Sequence, residues 1–498
     1  MVRASWFDRA LASVAPASAA RRLAARQGFE MLSRGYEGAQ RGKRGDAWLS
    51  GASSADAEIG SSGALLRDRS RELTRNNPHA AKALSALVNN IIGYGITPRA
   101  DSSNAKLNKA ANSLFDRWIK QCDADGVLDF YGMQTLACRE MVEAGEVLIR
   151  RRNRRPEDGL VVPLQLQLLE PDLLDATKMS DLLNGGRIVQ GIEFDVIGRR
   201  VAYWLHAQHP GDAASYNTRF QSARVPAADV LHVFERQRTQ ARGVPWAAPA
   251  MRTLRDLDDW TFAEQIRKKT EACLVGVVVG AEEPEQGIAP SLVDSAGKTV
   301  EKWSPGMVAY MRGGKEITFN QPSATAGVSE WLRSQLHIIA AGYRIPYELL
   351  TGDLSQVNYS SIRAGLVEFR RMVDALQWQV LIPSMCQPIW DWFCQQAWAA
   401  GALPVSTVPV QWSPPRFEAV DPLKDAQADL LAMRAGTMTL GQAIAKQGYN
   451  PDAMLAEIAE YNQKLDAMGI ILDSDPRRAT KTGVLQAADG EDVDGQDD

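Results

Sequence analysis

The sequence predicts an α+β protein built from several regions, and three observations carry that prediction. Helical periodicity over about 77–144 gives way to an alternation of period two between Glu146 and Glu235. Two long helical stretches, 248–272 and 327–343, bracket a run of short β segments. A polar loop at 351–360 then leads into a long apolar stripe that starts at Ile362. A chain of 498 residues can bury large cores, and its 45% apolar and 23% charged content is that of an ordinary globular protein.

Residues 1–64 read as a mobile basic arm. They carry Arg21, Arg22, Arg26, Arg34, Arg41, Lys43 and Arg44 but too little apolar content for a core. The apolar core of a secretory leader is interrupted by Asp8 and Arg9, so secretion is not expected. Order is expected from Leu65. Asn77-Pro78 supplies a cap and a first-turn proline, and Leu84, Leu87, Val88 and Ile91 form the stripe of the first helix. A second helix carries Leu107, Ala111, Leu114 and Trp118, and a third, about 130–144, carries Met133, Ala137 and Met141.

From Gly145 the period changes. The runs 146–150, 162–170, 187–195, 200–206 and 229–235 read as strands separated by Gly-containing turns. In the helix at 248–272, Leu254, Leu257, Trp260, Phe262 and Ile266 spread round the circumference. Such a helix should meet more than one neighbour, other subunits included. Residues 273–326 give short strands, VGVVV and MVAYM, round a polar loop. The next helix aligns Leu332, Leu336, Ile339 and Tyr343 and ends at Ile345-Pro346, because the residue before proline avoids helical geometry.

The loop 351–360 offers Asp353, Ser355, Gln356, Asn358 and Tyr359. Behind it a helix opens near Ser360 or Ser361, with Ile362, Leu366, Phe369, Val373, Leu376 and Val380 on one face and Arg370 and Arg371 on the other. Pro383 is expected to close it. Two helices holding out a polar loop form a device for presenting that loop. An aromatic-rich helix (Trp390, Trp392, Phe393, Trp398) completes 361–400, and helices starting at Asp421-Pro422 and Asn450-Pro451 fill 401–472. Residues 473–498 lack periodicity and end with six acids between Asp489 and Asp498, so a disordered acidic tail is expected.

The search for chemistry is negative. Gly297-Lys298-Thr299 matches the end of a Walker A loop, but Leu292 stands where its first glycine belongs. No H-E-x-x-H or G-x-S-x-G occurs. His206 and His209 form the nearest pair of the five histidines and read as a surface turn rather than a metal site; His337 reads as a core or interface residue. The five cysteines are scattered, which argues against disulfides and zinc. No run approaches the roughly 20 apolar residues that span a bilayer. A formal charge of −4 is unlike that of a free-standing nucleic-acid binder. The blank leaves a structural subunit, in particular a ring-former in which one patch meets a different patch on the next copy. Trp260, Phe262, Arg370 and Arg371 are its candidate interface residues.

Several stretches together resemble the lambda family of tailed-phage portal proteins. They are Arg75-Asn-Asn-Pro78, Glu143-Ala-Gly-Glu-Val147, Leu168-Leu-Glu-Pro-Asp172, Gly191-Ile-Glu-Phe-Asp195, Ala202-Tyr-Trp204 and Val225-Pro-Ala-Ala-Asp229 with His232. Arg242-Gly-Val-Pro-Trp246, Ile345-Pro-Tyr-Glu-Leu-Leu350, Asn358-Tyr-Ser-Ser361 and Trp412 through Pro422 extend the match over roughly 65–470. No single one is specific; their order and spacing carry the likeness.

The resemblance implies a dodecameric ring at one capsid vertex with a channel for double-stranded DNA, bound without sequence preference. It implies a wing (65–247), paired stem helices (248–272 and 327–350), a clip (273–326), a tunnel loop (351–360), a long wing helix (361–400) and a wing or crown (401–472). The implied partners are the terminase large subunit, head–tail connector proteins and the major capsid protein, with no cofactor, metal, membrane or enzymatic step. A tail or baseplate structural protein without a DNA channel is the alternative; a metal-dependent nuclease or hydrolase is a third reading for which no residue cluster nominates itself.

Overall fold

The computed structural model describes residues 52–212, 221–279, 291–293, 299–301, 307–311, 316–318, 327–355, 359–415, 417, 422–447, 449, 451–472 and 477. The chain divides into two units, Met1–Ala57 and Glu58–Asp498. The first described helix, α1 (Ala55–Asn76), starts before the boundary expected at Leu65. Its opening turns hold few apolar residues, so no stripe marks them. Instead Ile59 is buried, the Ser61 and Ser62 hydroxyls donate to the Glu58 carbonyl, and Glu58 pairs with Arg238 at 3.0 Å.

Helix α2 (Pro78–Ile91) begins as predicted. The Asn77 side-chain oxygen accepts from the His79 and Ala80 amides at 2.9 and 3.1 Å. Strand β1 (Thr97–Ala100) leads to α3 (Ala105–Trp118) and α4 (Phe130–Glu143), capped by Asn104 and Asp129. The predicted stripes are buried, apart from the half-buried Leu107. Their shared centre is Phe115, whose ring lies 5.1–5.5 Å from those of Trp118, Phe130, Trp390 and Phe393. Edge-to-face and tilted pairs of this kind add to the area they bury.

The β region forms two antiparallel sheets. β2 (Glu146–Asn153) lies between β3 (Leu164–Leu169) and β9 (Val230–Phe234). The second sheet is a meander of β4 (Ser180–Asp181), β5 (Arg187–Val189), β6 (Ile192–Phe194), β7 (Arg200–His206) and β8 (Ser222–Pro226). The single strand expected at 187–195 is a hairpin. Gln190 and Gly191 both take positive φ, 49° and 81°, which reverses the chain between Val189 and Ile192. Leu148, Ile192, Tyr203, Leu205 and Val225 fill a small core between the sheets, distinct from the main core.

The long helix α5 (Met251–Cys273) and helix α6 (Val328–Gly342) appear where expected. Between them β10 (Leu274–Val279) runs parallel to β13 (Met307–Met311) and antiparallel to β14 (Glu316–Thr318), while β11 (Ser291–Val293) pairs with β12 (Thr299–Glu301). A short α7 (Tyr347–Thr351) precedes α8 (Tyr359–Leu376).

Pro383 does not close this helical run. The chain continues through a π-helical stretch, Gln377–Cys386, into α9 (Gln387–Ala399). The wider π turn relieves the clash of the Pro383 ring with the preceding turn. The Ser384 hydroxyl also donates to the Val380 carbonyl at 2.5 Å. β15 (Val410–Ser413) pairs with β1, and α10 (Pro422–Arg434) and α12 (Pro451–Met468) open at the predicted prolines. The short α11 (Leu440–Lys446), started by a capping box of Thr439 and Gln442, has no counterpart among the expected elements. Among the described residues no helix is long and apolar enough to cross a membrane.

Candidate functional site

The presented loop stands on α5, α6 and α7. Trp260 of α5 and Trp331 of α6 pack with ring centroids 4.3 Å apart. Gly342 lets the end of α6 approach Ala250; a Cβ there would lie 2.8 Å from the Ala250 methyl. Asn77 adds a brace from the α2 cap, donating to both carboxylate oxygens of Asp258 at 2.9 and 3.0 Å. After α6 the backbone reverses at Arg344, with φ 60°. That strained residue is held by a bidentate pair with Glu235 at 2.8 and 2.9 Å, and its guanidinium lies 4.7 Å over the Trp246 ring.

Gly352, at φ 74°, ends α7 and starts the loop. Asp353 shapes the loop's first turn: its amide donates to the Thr351 hydroxyl at 3.1 Å, and its carboxylate accepts from the Ser355 amide at 3.0 Å. Hydrogen bonds from Ser355, with Arg333 nearby at 3.6 Å, hold its carboxyl below the usual range. The aspartate is therefore committed to loop geometry. Ser355 is exposed, and Leu354 projects outward with 61% of its surface accessible. Gln356 and Asn358 lie outside the described residues, and Tyr359 opens the backbone of α8.

The candidate interface residues do not converge. Trp260 is half buried against Trp331 within the chain, whereas Phe262, two residues on, is 65% exposed. On α8, Arg370 lies 5.2 Å over Phe417 and Arg371 is exposed. His337 is exposed and stacks on Tyr347 at 4.1 Å; it is not a core residue.

Sequence reasoning missed the charge network at the root of α5. Glu146, fully buried on β2, accepts from Arg242 Nε at 2.7 Å, the Gly243 amide at 2.7 Å and His232 Nε2 at 2.8 Å. Arg200 Nη1 lies 2.7 Å from His232 Nδ1, so the neutral ring accepts there and donates to Glu146. Burial raises the Glu146 carboxyl, but Arg242 and His232 outweigh it and hold it far below the ordinary value. Burial pushes His232 down to about 4.

Around this centre Arg67 approaches Asp172 at 3.6 Å, and Arg71 contacts Asp172 at 2.7 Å and Glu170 at 3.0 Å. Two backbones also cross here. A Cβ on Gly243 would lie 2.1 Å from the Gly145 carbonyl oxygen, and Gly145 itself has φ 92°. The motifs Glu143–Val147, Leu168–Asp172, His232 and Arg242–Trp246 thus meet at one point, a few residues before α5 begins.

Ligand atoms of Glu170, Asp172 and His209 lie within 4.8 Å of one another. Arg71 pairs with both carboxylates, and the His209 Nδ1 accepts from the Gly211 amide at 3.0 Å, which leaves the proton on the nitrogen facing Glu170. This cluster suits an ion-pair network rather than a metal.

The site thus consists of helices, sheets and a braced loop, tied together by buried ion pairs. Residues 41–377 match the family model described as phage portal protein, lambda family, and the chain belongs to that family. It is 26% identical over 464 residues to a "Probable portal protein" of Halomonas phage phiHAP-1, covering 88% of each chain. It is 22% identical over 514 aligned residues to the "Portal protein" of Escherichia phage N15, covering 92% of this chain and 95% of the other. Among solved structures it is similar to a chain of "Virion of native gene transfer agent (GTA) particle", at 14% identity and TM-score 0.43, covering 78% of this chain and 94% of that one. A chain of "Neck of native GTA particle computed with C12 symmetry" matches at 13% identity and TM-score 0.41, covering 77% and 94%.

Proposed function

We propose that this portal subunit assembles into a dodecameric ring at a single capsid vertex and lines the channel through which the genome enters and leaves. The observation that supports this most is the braced loop behind the α5–α6 pair, in a chain whose residues 41–377 match the portal family. In this reading α5 and α6 are the stem, and strands β10–β14 are the clip that docks the terminase large subunit and, later, head–tail connector proteins. Helices α8 and α9 back the loop as the wing, the region from 401 to 472 forms wing and crown, and the rim meets the major capsid protein.

DNA must slide through such a channel. Every phosphate a protein neutralises adds salt-dependent affinity, so a gripping lumen would stall the duplex. The formal charge of −4 per chain, multiplied round a ring, favours repulsion. The loop supports the same reading: Asp353 is tied up internally, and Ser355 and Leu354 offer contact without positive charge.

A photo-crosslinking residue at Leu354, in particles filled with DNA, tests the assignment. Crosslinks to DNA from Leu354, and none from the same residue at exposed Leu183, are expected. DNA crosslinks at Leu183 but not at Leu354 would overturn the loop's role.

A further inference from the structure

A groove of about 830 Å³ opens between the start of α4 and the edge of the β2–β3 ladder, remote in sequence from the presented loop. Its floor is apolar, with Val127 75% exposed and Leu136 37% exposed. Its rim is basic, formed by Arg139, Arg152 and Arg154. Arg152, on β2, and Arg154, just past its end, both line the groove, whereas Arg151 points to the other face and pairs with Asp229 at 2.6 Å. Two acids also line the groove: the Asp123 carboxylate accepts from the Asp125, Val127 and Leu128 amides at 2.9–3.1 Å, and the exposed Asp125 lies beyond ion-pair distance of the three arginines. Arg139 lies 3.7 Å from Glu143, and among the described residues no carboxylate lies within ion-pair distance of Arg152. An apolar floor with an under-neutralised arginine rim selects a segment that places apolar side chains beside a run of acids.

This chain contains such a segment. Val484-Leu485 is followed by Asp489, Glu491, Asp492, Asp494, Asp497 and Asp498, with no basic residue after Lys481. The C-terminal helix α12 starts against the same body, through the Arg99–Asp452 ion pair. Arg99 lies on β1, and the amide of Ile96, just before that strand, donates to the Gln134 side chain of α4 at 2.7 Å. Thr135 and Arg139, on the same helix, line the groove. α12 has 18 residues and so spans roughly 27 Å. The stretch from 473 to 484 reaches roughly 40 Å when extended, so the tail can return the full length of its helix.

We propose that this groove is the docking site for the acidic C-terminal segment 484–498 of this chain, from the same copy or a neighbouring one. Val484 and Leu485 cover the floor and the acids pair with the arginine rim. A docked tail also hides these arginines from DNA phosphates.

Arginine-selective labelling with phenylglyoxal, read peptide by peptide by mass spectrometry, tests this on the full-length protein. The comparison is with a full-length variant in which Asp489→Asn, Glu491→Gln, Asp492→Asn and Asp494→Asn remove the acids but not the tail. Several exposed ion pairs acting together give a bias of about fivefold, so Arg139 and Arg152 should label about fivefold faster in the variant. Raising salt to roughly 0.5 M should speed the wild type alike, and Arg117 should not change. A second variant, Val484→Ser with Leu485→Ser, should give a partial rise. Mixing the acid-neutralised chain with one carrying Arg139→Ser and Arg152→Ser separates the sources: restored protection means a neighbour's tail, and none means the same copy's. Equal labelling in wild type and acid-neutralised chains overturns the proposal. Protection that appears only on adding duplex DNA overturns it in favour of a nucleic-acid site.

Discussion

Replacing Glu146 with alanine tests whether the buried charge network fixes the root of α5. The change deletes the carboxylate that accepts from Arg242, His232 and the Gly243 amide. Arg242, 1% exposed, would keep only the Gln190 and Pro171 carbonyls at 3.4 and 3.2 Å. A buried charge stripped of its partner costs about 3–5 kcal/mol, and each orphaned donor adds roughly 1–3 kcal/mol before water enters. We expect a loss of about 4–6 kcal/mol, close to the whole stability of an ordinary domain. Urea unfolding followed by tryptophan fluorescence measures it. Glu146→Gln should fall between, because the amide keeps one acceptor oxygen. The double variant Glu146→Leu/Arg242→Met should be more stable than Glu146→Ala, because it leaves no unpaired cation. A loss below about 1 kcal/mol in Glu146→Ala, or a double variant no better than the single, would mean that the network does not hold the root of α5.

The structure yields four further outcomes. Gly243→Ala should prevent folding, since its Cβ has backbone on the far side at 2.1 Å, whereas Gly126→Ala, in open space at φ 76°, should cost only about 1 kcal/mol; soluble yield and thermal melts separate them. A double-mutant cycle of Trp260→Ala and Trp331→Ala should give a coupling of about 0.5–1.5 kcal/mol, and additive effects would mean that the ring contact stabilises nothing. Burial raises the Glu140 carboxyl to about 7 from an ordinary 4.5, so the folded state holds a proton that the unfolded chain releases, and stability falls as pH rises between those values. Glu140→Gln should therefore raise the melting temperature more at pH 8 than at pH 5. His232 runs the other way: its folded value of about 4 lies below the ordinary 6.5, so its share of stability is complete above 6.5 and falls as pH drops toward 4.

The helices legible in the sequence were those with a local signature. Asn77-Pro78 and the stripes of α2 to α4 announce themselves through caps and periodicity, and Pro422 and Pro451 mark real starts. The hidden features depend on partners far along the chain. The first turns of α1 bury only Ala55 and Ile59 and meet the distant Arg238 through Glu58, and the hairpin at Gln190 rests on a non-glycine residue at positive φ. Pro383 misled because proline's rule is written for α turns and this stretch is π. In the candidate site, the position of the loop after α6 was readable, since Pro346 and Gly352 punctuate it. The role of Asp353 as a loop brace was not, because it depends on Thr351 and Ser355 folding back on it. Glu146, His232 and Arg242 were visible as family-like stretches, but 86 and 96 residues separate Glu146 from its partners, and no local pattern reports such a meeting.

Whether this chain closes into a channel is tested most directly by negative-stain electron microscopy of the purified protein, with native mass spectrometry for subunit count. Rings of about twelve subunits with an open centre are expected, from heterologous contacts that close by rotation. Compact monomers or dimers from low to high salt, or rings with no through-channel, would contradict it.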